Sequence, residues 1–309
     1  MAKVFLIVIL LGTTSIPLVS AQTKNGFDLS DAAIPVEEIL SGGPPRDGIP
    51  ALTDPRFESV REASRWMVED DRLLALEVAG EAKAYPLRIL VWHEVANDRI
   101  GGQPVLVTFC PLCGTGMAFD PVVRGERRIF GVSGLLYNSD VLMYDRGTES
   151  LWSQIARRAV TGPMRGSNLD LLPLVHTTWD RWRREHPDGL VLSQQTGHER
   201  DYNRDPYLLY AFDPSALFPV SHRDPRLPEK ELILGIEREG AGTAFPLSSL
   251  EEGPRPVRAR VGSEDVFVYW FRDSWTAFAT DPKGRRIPAT IAYWFAWSAF
   301  HPDTQVWHP

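Results

Sequence analysis

Leu73-Leu74-Ala75-Leu76-Glu77 runs into a turn at Gly80 and resumes as Ala84-Tyr85-Pro86-Leu87. Later in the chain Ile233-Leu234-Gly235-Ile236-Glu237 turns at Gly240 and resumes as Ala244-Phe245-Pro246-Leu247. Aligned without a gap, 73–90 and 233–250 share seven of 18 positions. One inserted residue later the match continues: 105–121 lies over 266–282, with Val105/Val266, Val107/Val268, Thr115/Thr276, Ala118/Ala279, Asp120/Asp281 and Pro121/Pro282 identical. Arg127-Arg128-Ile129 is then echoed by Arg285-Arg286-Ile287. Two ungapped blocks in one order point to an internal duplication.

Most of each block reads as strand. Residues 257–261 and 266–271 are β-branched, apolar or alternating and meet at Gly262-Ser263, and 73–78 and 105–109 have the same character. Helical signals are fewer. Pro86 opens a short helix over 86–94, Thr178 caps one that stops before Pro187, and 291–300 is apolar nearly all round, as a buried helix is. The expectation is an α+β protein, β-rich and mainly antiparallel, built as one compact unit. Its parts are a loop-rich segment over 22–60, a first repeat over 61–154, an inserted segment over 155–231 and a second, degenerate repeat over 232–309.

The N-terminus reads as an export signal: Lys3, an apolar run over 4–11, and the small-residue cleavage site Val19-Ser20-Ala21. The run is too short to span a bilayer, and no Cys follows it to carry a lipid anchor. Cleavage leaves 309 − 21 = 288 residues and moves the net charge from −7 to −8 through loss of Lys3. That length supports a sizeable core. The acidic balance argues against a nucleic-acid partner. No later stretch is apolar enough for a transmembrane anchor. The expected location is extracytoplasmic, periplasmic or secreted.

An exported chain with only two cysteines has few uses for them: a disulfide, a metal or a redox pair. Cys110 and Cys113 stand in Phe109-Cys110-Pro111-Leu112-Cys113-Gly114, at the end of a strand. A bridge closing so small a loop adds little stability, so the spacing favours chemistry. His93, in Trp92-His93-Glu94, lies just before the cysteine strand, and Met117 follows four residues after Cys113. Two thiolates, an imidazole and a thioether are soft to borderline donors that suit copper first and zinc second. The motif also looks like a thioredoxin active site. There it opens a helix that activates the first thiol; here Gly114-Thr115-Gly116 follows, which favours a turn and a strand. Glu94, Tyr137, Asn138, Arg200 and Tyr202 are candidates to line the same pocket, from Tyr137-Asn138-Ser139-Asp140 and from the Arg-, Asp- and Tyr-rich run 196–207. The aligned second copy has Phe271 and Ser274 at the cysteine positions, which makes the second half a scaffold. Signatures of nucleotide binding, of the serine-hydrolase elbow and of zinc proteases are absent.

These residues carry a resemblance. Trp92-His93-Glu94 with Asn97-Asp98, Val107 through Gly114, Phe130-Gly131-Val132-Ser133-Gly134, Tyr144-Asp145-Arg146, Leu151-Trp152-Ser153-Gln154, Thr177-Thr178-Trp179, Arg200-Asp201-Tyr202 and Phe300-His301-Pro302-Asp303-Thr304 resemble the exported prokaryotic family known as domain of unknown function 3179. The resemblance spans nearly all of the mature chain. It implies a recurring architecture containing Cys110, Cys113, His93 and the Arg200–Tyr202 loop, and no activity. Three functions stay open: transition-metal binding for metal handling or oxidative chemistry, thiol–disulfide exchange with Cys110 as nucleophile, and a secreted carbohydrate- or cell-wall-binding module with an aromatic groove.

Overall fold

In the computed structural model, which describes residues 22–253 and 255–309, the opening run forms a hairpin. β1 (Arg72–Val78) pairs antiparallel with β2 (Glu81–Pro86), Leu73 opposite Pro86 and Ala75 opposite Ala84. The candidate signal peptide lies outside the described residues. The helix expected over 86–94 shrinks to one turn, α1 (Leu87–Leu90). A meander follows: β3 (Val95–Ile100), β4 (Gln103–Cys110) and β5 (Thr115–Asp120). Gly101 and Gly102 both take positive φ and close the β3–β4 turn in two residues, the geometry that matches strand twist.

β6 (Phe130–Tyr137), β7 (Asp140–Asp145) and β8 (Leu151–Ser153) build a separate antiparallel sheet. The chain continues through β9 (Val175–Thr178), α2 (Trp179–Glu185) and β10 (Leu190–Leu192), then α3 (Leu208–Phe212). β11 (Leu232–Arg238) and β12 (Ala241–Pro246) form a hairpin with Ile233 opposite Pro246 and Gly235 opposite Ala244. α4 (Leu247–Glu252), β13 (Val257–Val261), β14 (Glu264–Phe271) and β15 (Thr276–Thr280) follow. β16 (Thr290–Tyr293), α5 (Trp294–Phe300) and β17 (Gln305–Val306) end the described chain.

Two nine-stranded sheets dominate. One runs β17-β12-β11-β16-β5-β4-β3; the other runs β13-β14-β15-β9-β1-β2-β10. Each gains one short N-terminal strand, Leu52–Thr53 on β3 and Phe57–Ser59 on β10, and one short strand off the path, Asp170–Leu172 on β5 and Arg286–Ile287 on β15. Among the described residues three strand pairs are parallel, β2 with β10, β12 with β17 and β3 with the short strand Leu52–Thr53, and the rest are antiparallel, so the β-rich, mainly antiparallel expectation holds. Each large sheet joins strands from both ends of the chain at one narrow contact: Gly116 of β5 opposite Ile291 of β16, and His176 of β9 opposite Ala277 of β15. The buried helix expected over 291–300 begins only at Trp294. Ile291-Ala292-Tyr293 is instead a central strand, paired with β11 on one side and reaching β5 on the other. Its lack of polar residues reflects burial on both faces, which a run of this length shows in a strand as readily as in a helix.

Alternation along β4 sets the site. Val105, Val107 and Phe109 pack into one core with Leu74, Tyr85 and Ile89. Leu106 and Cys110 point into another core, with Phe130, Val141, Trp152 and Ile155. Since successive side chains take opposite faces, Cys110 is directed toward the β6–β8 sheet.

Candidate metal centre

Cys110 is the last residue of β4 and Cys113 lies in the turn before β5. Gly114 ends that turn at φ +62°, and a Cβ there would meet the Tyr293 ring at 3.2 Å; only glycine takes both the backbone and the space. Tyr293 N–H donates to Cys113 O at 2.8 Å, and Tyr210 Oη–H donates to Leu112 O at 2.8 Å. The turn is held from both sides of the chain.

Across the core, Asn138 and Ser139 have φ of 51° and 65° and join β6 to β7, with Tyr137 opposite Asp140. Two consecutive left-handed residues make the turn type that suits a two-residue hairpin. It delivers Asp140 and the Ser139 carbonyl to the cysteines. The donor atoms of Cys110, Cys113 and Asp140 all lie within 4.8 Å of one another, and all three residues are buried. Both cysteines are free thiols, and Cys113 Sγ–H donates to Ser139 O at 3.3 Å.

Burial sets the electrostatics. It pushes the Cys113 thiol well above its usual range, with Cys110 and Asp140 adding to the shift. It raises Asp140 to about 7, against backbone N–H groups of Ile155 and Val141 that favour the charged form. It raises Glu94 to about 8, with the neighbouring Asp140 adding to the effect. Asp140 Oδ2 accepts from Ile155 N–H at 3.0 Å, while Oδ1 has no partner among the described residues; nor do Ser139 Oγ and Gln154 Oε1. Unsatisfied buried oxygens are costly. An unpartnered carboxylate oxygen beside two thiols is a donor set that a cation completes.

His93 stands outside this group. Its Nδ1–H donates to Pro50 O at 2.7 Å, since a carbonyl only accepts, so Nε2 accepts from Tyr202 Oη–H at 2.7 Å. Burial lowers its pKa to about 4, and the ring is neutral. Both nitrogens are occupied, and the third donor at the cysteines is a carboxylate instead of an imidazole. Met117 lies in the same core as the cysteines, opposite Thr108 on the neighbouring strand. Glu94 is buried close enough to Asp140 to raise its own pKa. Asn138 Oδ1 accepts from Ser221 N–H at 2.7 Å, and Tyr137 packs edge-on against Phe300. Tyr202 is buried against His93, whereas Arg200 is exposed over Trp92. Asp140 is the member that sequence reasoning missed. It sat in a run singled out for the pocket, and the turn-forming Asn138-Ser139 pair before it was the available signal.

The motif does not open a helix: a turn joins two antiparallel strands. Six of the ten tryptophans (152, 179, 182, 270, 294 and 297) are buried in the cores, and of these Trp182 and Trp297 reach the walls of two separate cavities. Among the described residues no helix is long and apolar enough to cross a membrane. No curated protein and no solved structure matches the chain. A family match does exist, over residues 46–304, and it contains every residue of the cluster. By that match, the chain belongs to the family of proteins of unknown function designated DUF3179.

Proposed function

We propose that this is an exported protein that holds one transition-metal ion on Cys110, Cys113 and Asp140. The observation that carries the reading is the buried cluster of two free thiols and a carboxylate with an unpartnered oxygen. Left as neutral acids, these groups form a poorly satisfied pocket; as anions they repel one another. A divalent cation resolves both problems at once. Sulfur with carboxylate oxygen suits zinc, so zinc moves ahead of copper, while copper(I) remains suited to the thiolates alone. With three protein donors, a bound ion supplies an electrophilic centre with a further coordination position. Glu94 stands close enough to Asp140 to share its charge balance, and the Cys113 S–H that donates to Ser139 O carries the proton that metal binding would release.

Burial favours retention of the ion over rapid thiol exchange. A redox thiol needs an accessible thiolate, and Cys113 is fully buried with a raised pKa. The thiol–disulfide reading therefore stands second. Export rests on the leader over 1–21.

The two halves of the chain are, in our reading, duplicates. The matched β1–β2 and β11–β12 registers and the reciprocal contacts at Gly116 and Ala277 support this. So does a further echo: Trp179-x-x-Trp182-x-x-x-His186-Pro187-Asp188 against Trp294-x-x-Trp297-x-x-x-His301-Pro302-Asp303. In this reading β9–α2–β10, inside the segment expected as an insertion, belongs to the first copy.

The test is elemental mass spectrometry of purified protein, beside Cys110→Ser/Cys113→Ser, Asp140→Asn and His93→Gln variants. About one equivalent of zinc or copper is expected, lost from the cysteine variant, weakened in Asp140→Asn and kept in His93→Gln. Absence of bound metal after loading reduced protein with either ion would sink the proposal.

A further inference from the structure

A cavity of about 300 Å³ abuts the outer side of the cysteine turn, and Pro111 and Gly114 form part of its wall. The thiols themselves do not line it. Tyr207, Tyr210 and Tyr293 supply aromatic surface, and three arginines line it: Arg72, Arg88 and, at its exposed edge, Arg204.

Arg88 has its counter-ion: its guanidinium bonds Asp71 Oδ1 at 2.6 Å. Arg72, the first residue of β1, has none. Among the described residues no carboxylate lies in salt-bridge range of it, and its guanidinium makes no hydrogen bond. Its neighbours are the Trp275 ring, 4.7 Å away, and Tyr293. Burial pulls its pKa down, and Tyr293 is the one neighbour that opposes this. The other acids at the cavity are Asp71, taken by Arg88, and Asp205, whose Oδ1 accepts from Tyr207 N–H. A guanidinium has five donors in a planar fork, and Arg72 is half-buried with that fork facing the cavity and no anion on it. A carboxylate completes such a fork with two parallel charge-assisted bonds. The three tyrosines suit a flat, partly apolar body, since pockets of this kind are mostly aromatic with a few fixed polar groups.

We propose that this cavity is a binding subsite for a small, flat organic carboxylate, its carboxylate on Arg72 and its body against Tyr207, Tyr210 and Tyr293. The subsite needs no metal at the cysteines.

The test uses the intact protein and two probes of nearly equal shape, benzoate and neutral benzamide. Binding is followed by calorimetry and by tryptophan fluorescence, because Trp275 covers Arg72. Saturable benzoate binding is expected, about tenfold or more tighter than benzamide, as a charge-assisted pair implies. Arg72→Met should bring benzoate down to the benzamide level, and Arg72→Lys should keep part of the preference. Equal affinity for the two probes in the wild type, or no saturable benzoate binding, overturns the proposal without reliance on any variant's folding. The same benzoate preference is expected in wild-type protein treated with a chelator, so failure of the metal reading leaves this measurement intact.

Discussion

At Asp140 one residue does two jobs, and they pull its protonation in opposite directions. Backbone N–H groups of Ile155 and Val141 favour its carboxylate, while burial favours its acid form and prevails. A cation among the sulfurs would tip this balance to the anion. Gly114 is constrained as tightly by shape. Gly114→Ala puts a side chain at positive φ and against the Tyr293 ring, and is expected to cost about 1–3 kcal/mol in urea denaturation, with loss of metal. His176 is the residue whose titration is simplest to read. It is buried, its Nδ1 has no partner among the described residues, and its pKa falls from 6.5 to about 3 through burial, with Arg72 adding to the effect. The folded ring therefore stays neutral while the unfolded ring takes a proton below 6.5. The resulting stability is fully present above that pH and is lost as pH falls toward 3. Replacing it by His176→Gln should flatten the decline between pH 7 and 4.5 by roughly 2–3 kcal/mol. Parallel pH profiles of wild type and variant would show that the ring is not buried neutral.

Among the elements, the β6–β7 turn matters most, because it alone brings oxygen to the sulfurs. Ser139 holds φ of 65° with a buried hydroxyl that finds no partner. Ser139→Gly keeps the carbonyl that Cys113 uses and relieves both penalties; its thermal midpoint should match or exceed the wild type. Ser139→Val adds β-branching at positive φ and should lose about 2 kcal/mol and weaken metal binding. If the two variants melted alike, the turn would not be under the constraint described. Much of this element level was legible in the chain. Strand alternation identified β4, β13 and β14, and glycine after the cysteines argued correctly for a turn. What escaped was spatial. His93 is near the cysteines in sequence, but the turn between α1 and β3 faces it toward Pro50 and Tyr202. Asp140 arrives from a different sheet, and local spacing carries no record of which strand end crosses the core. The 291–293 strand was read as helix because an apolar run has no period when both faces are buried.

For the whole molecule the exchange of strands between the two large sheets is decisive. β16, near the C-terminus, borders β5, and Tyr293 closes the cysteine turn through Cys113 O. A chain ended before Thr290 should therefore leave both thiols open. Ellman titration under native conditions should find them unreactive in the intact protein and rapidly modified in the truncated one. Equal reactivity would mean that the turn closes without its C-terminal partner. Contacts between residues so distant in sequence also slow folding. Here that delay has a direction, because a chain emerges N-terminus first. Cys110 and Cys113 leave the ribosome long before Tyr293 does. Until the last strand arrives the pair is an exposed dithiol, open to oxidation and to any stray metal. With export as proposed, that interval falls in an oxidising compartment, where the sulfurs need protection until the last strand docks.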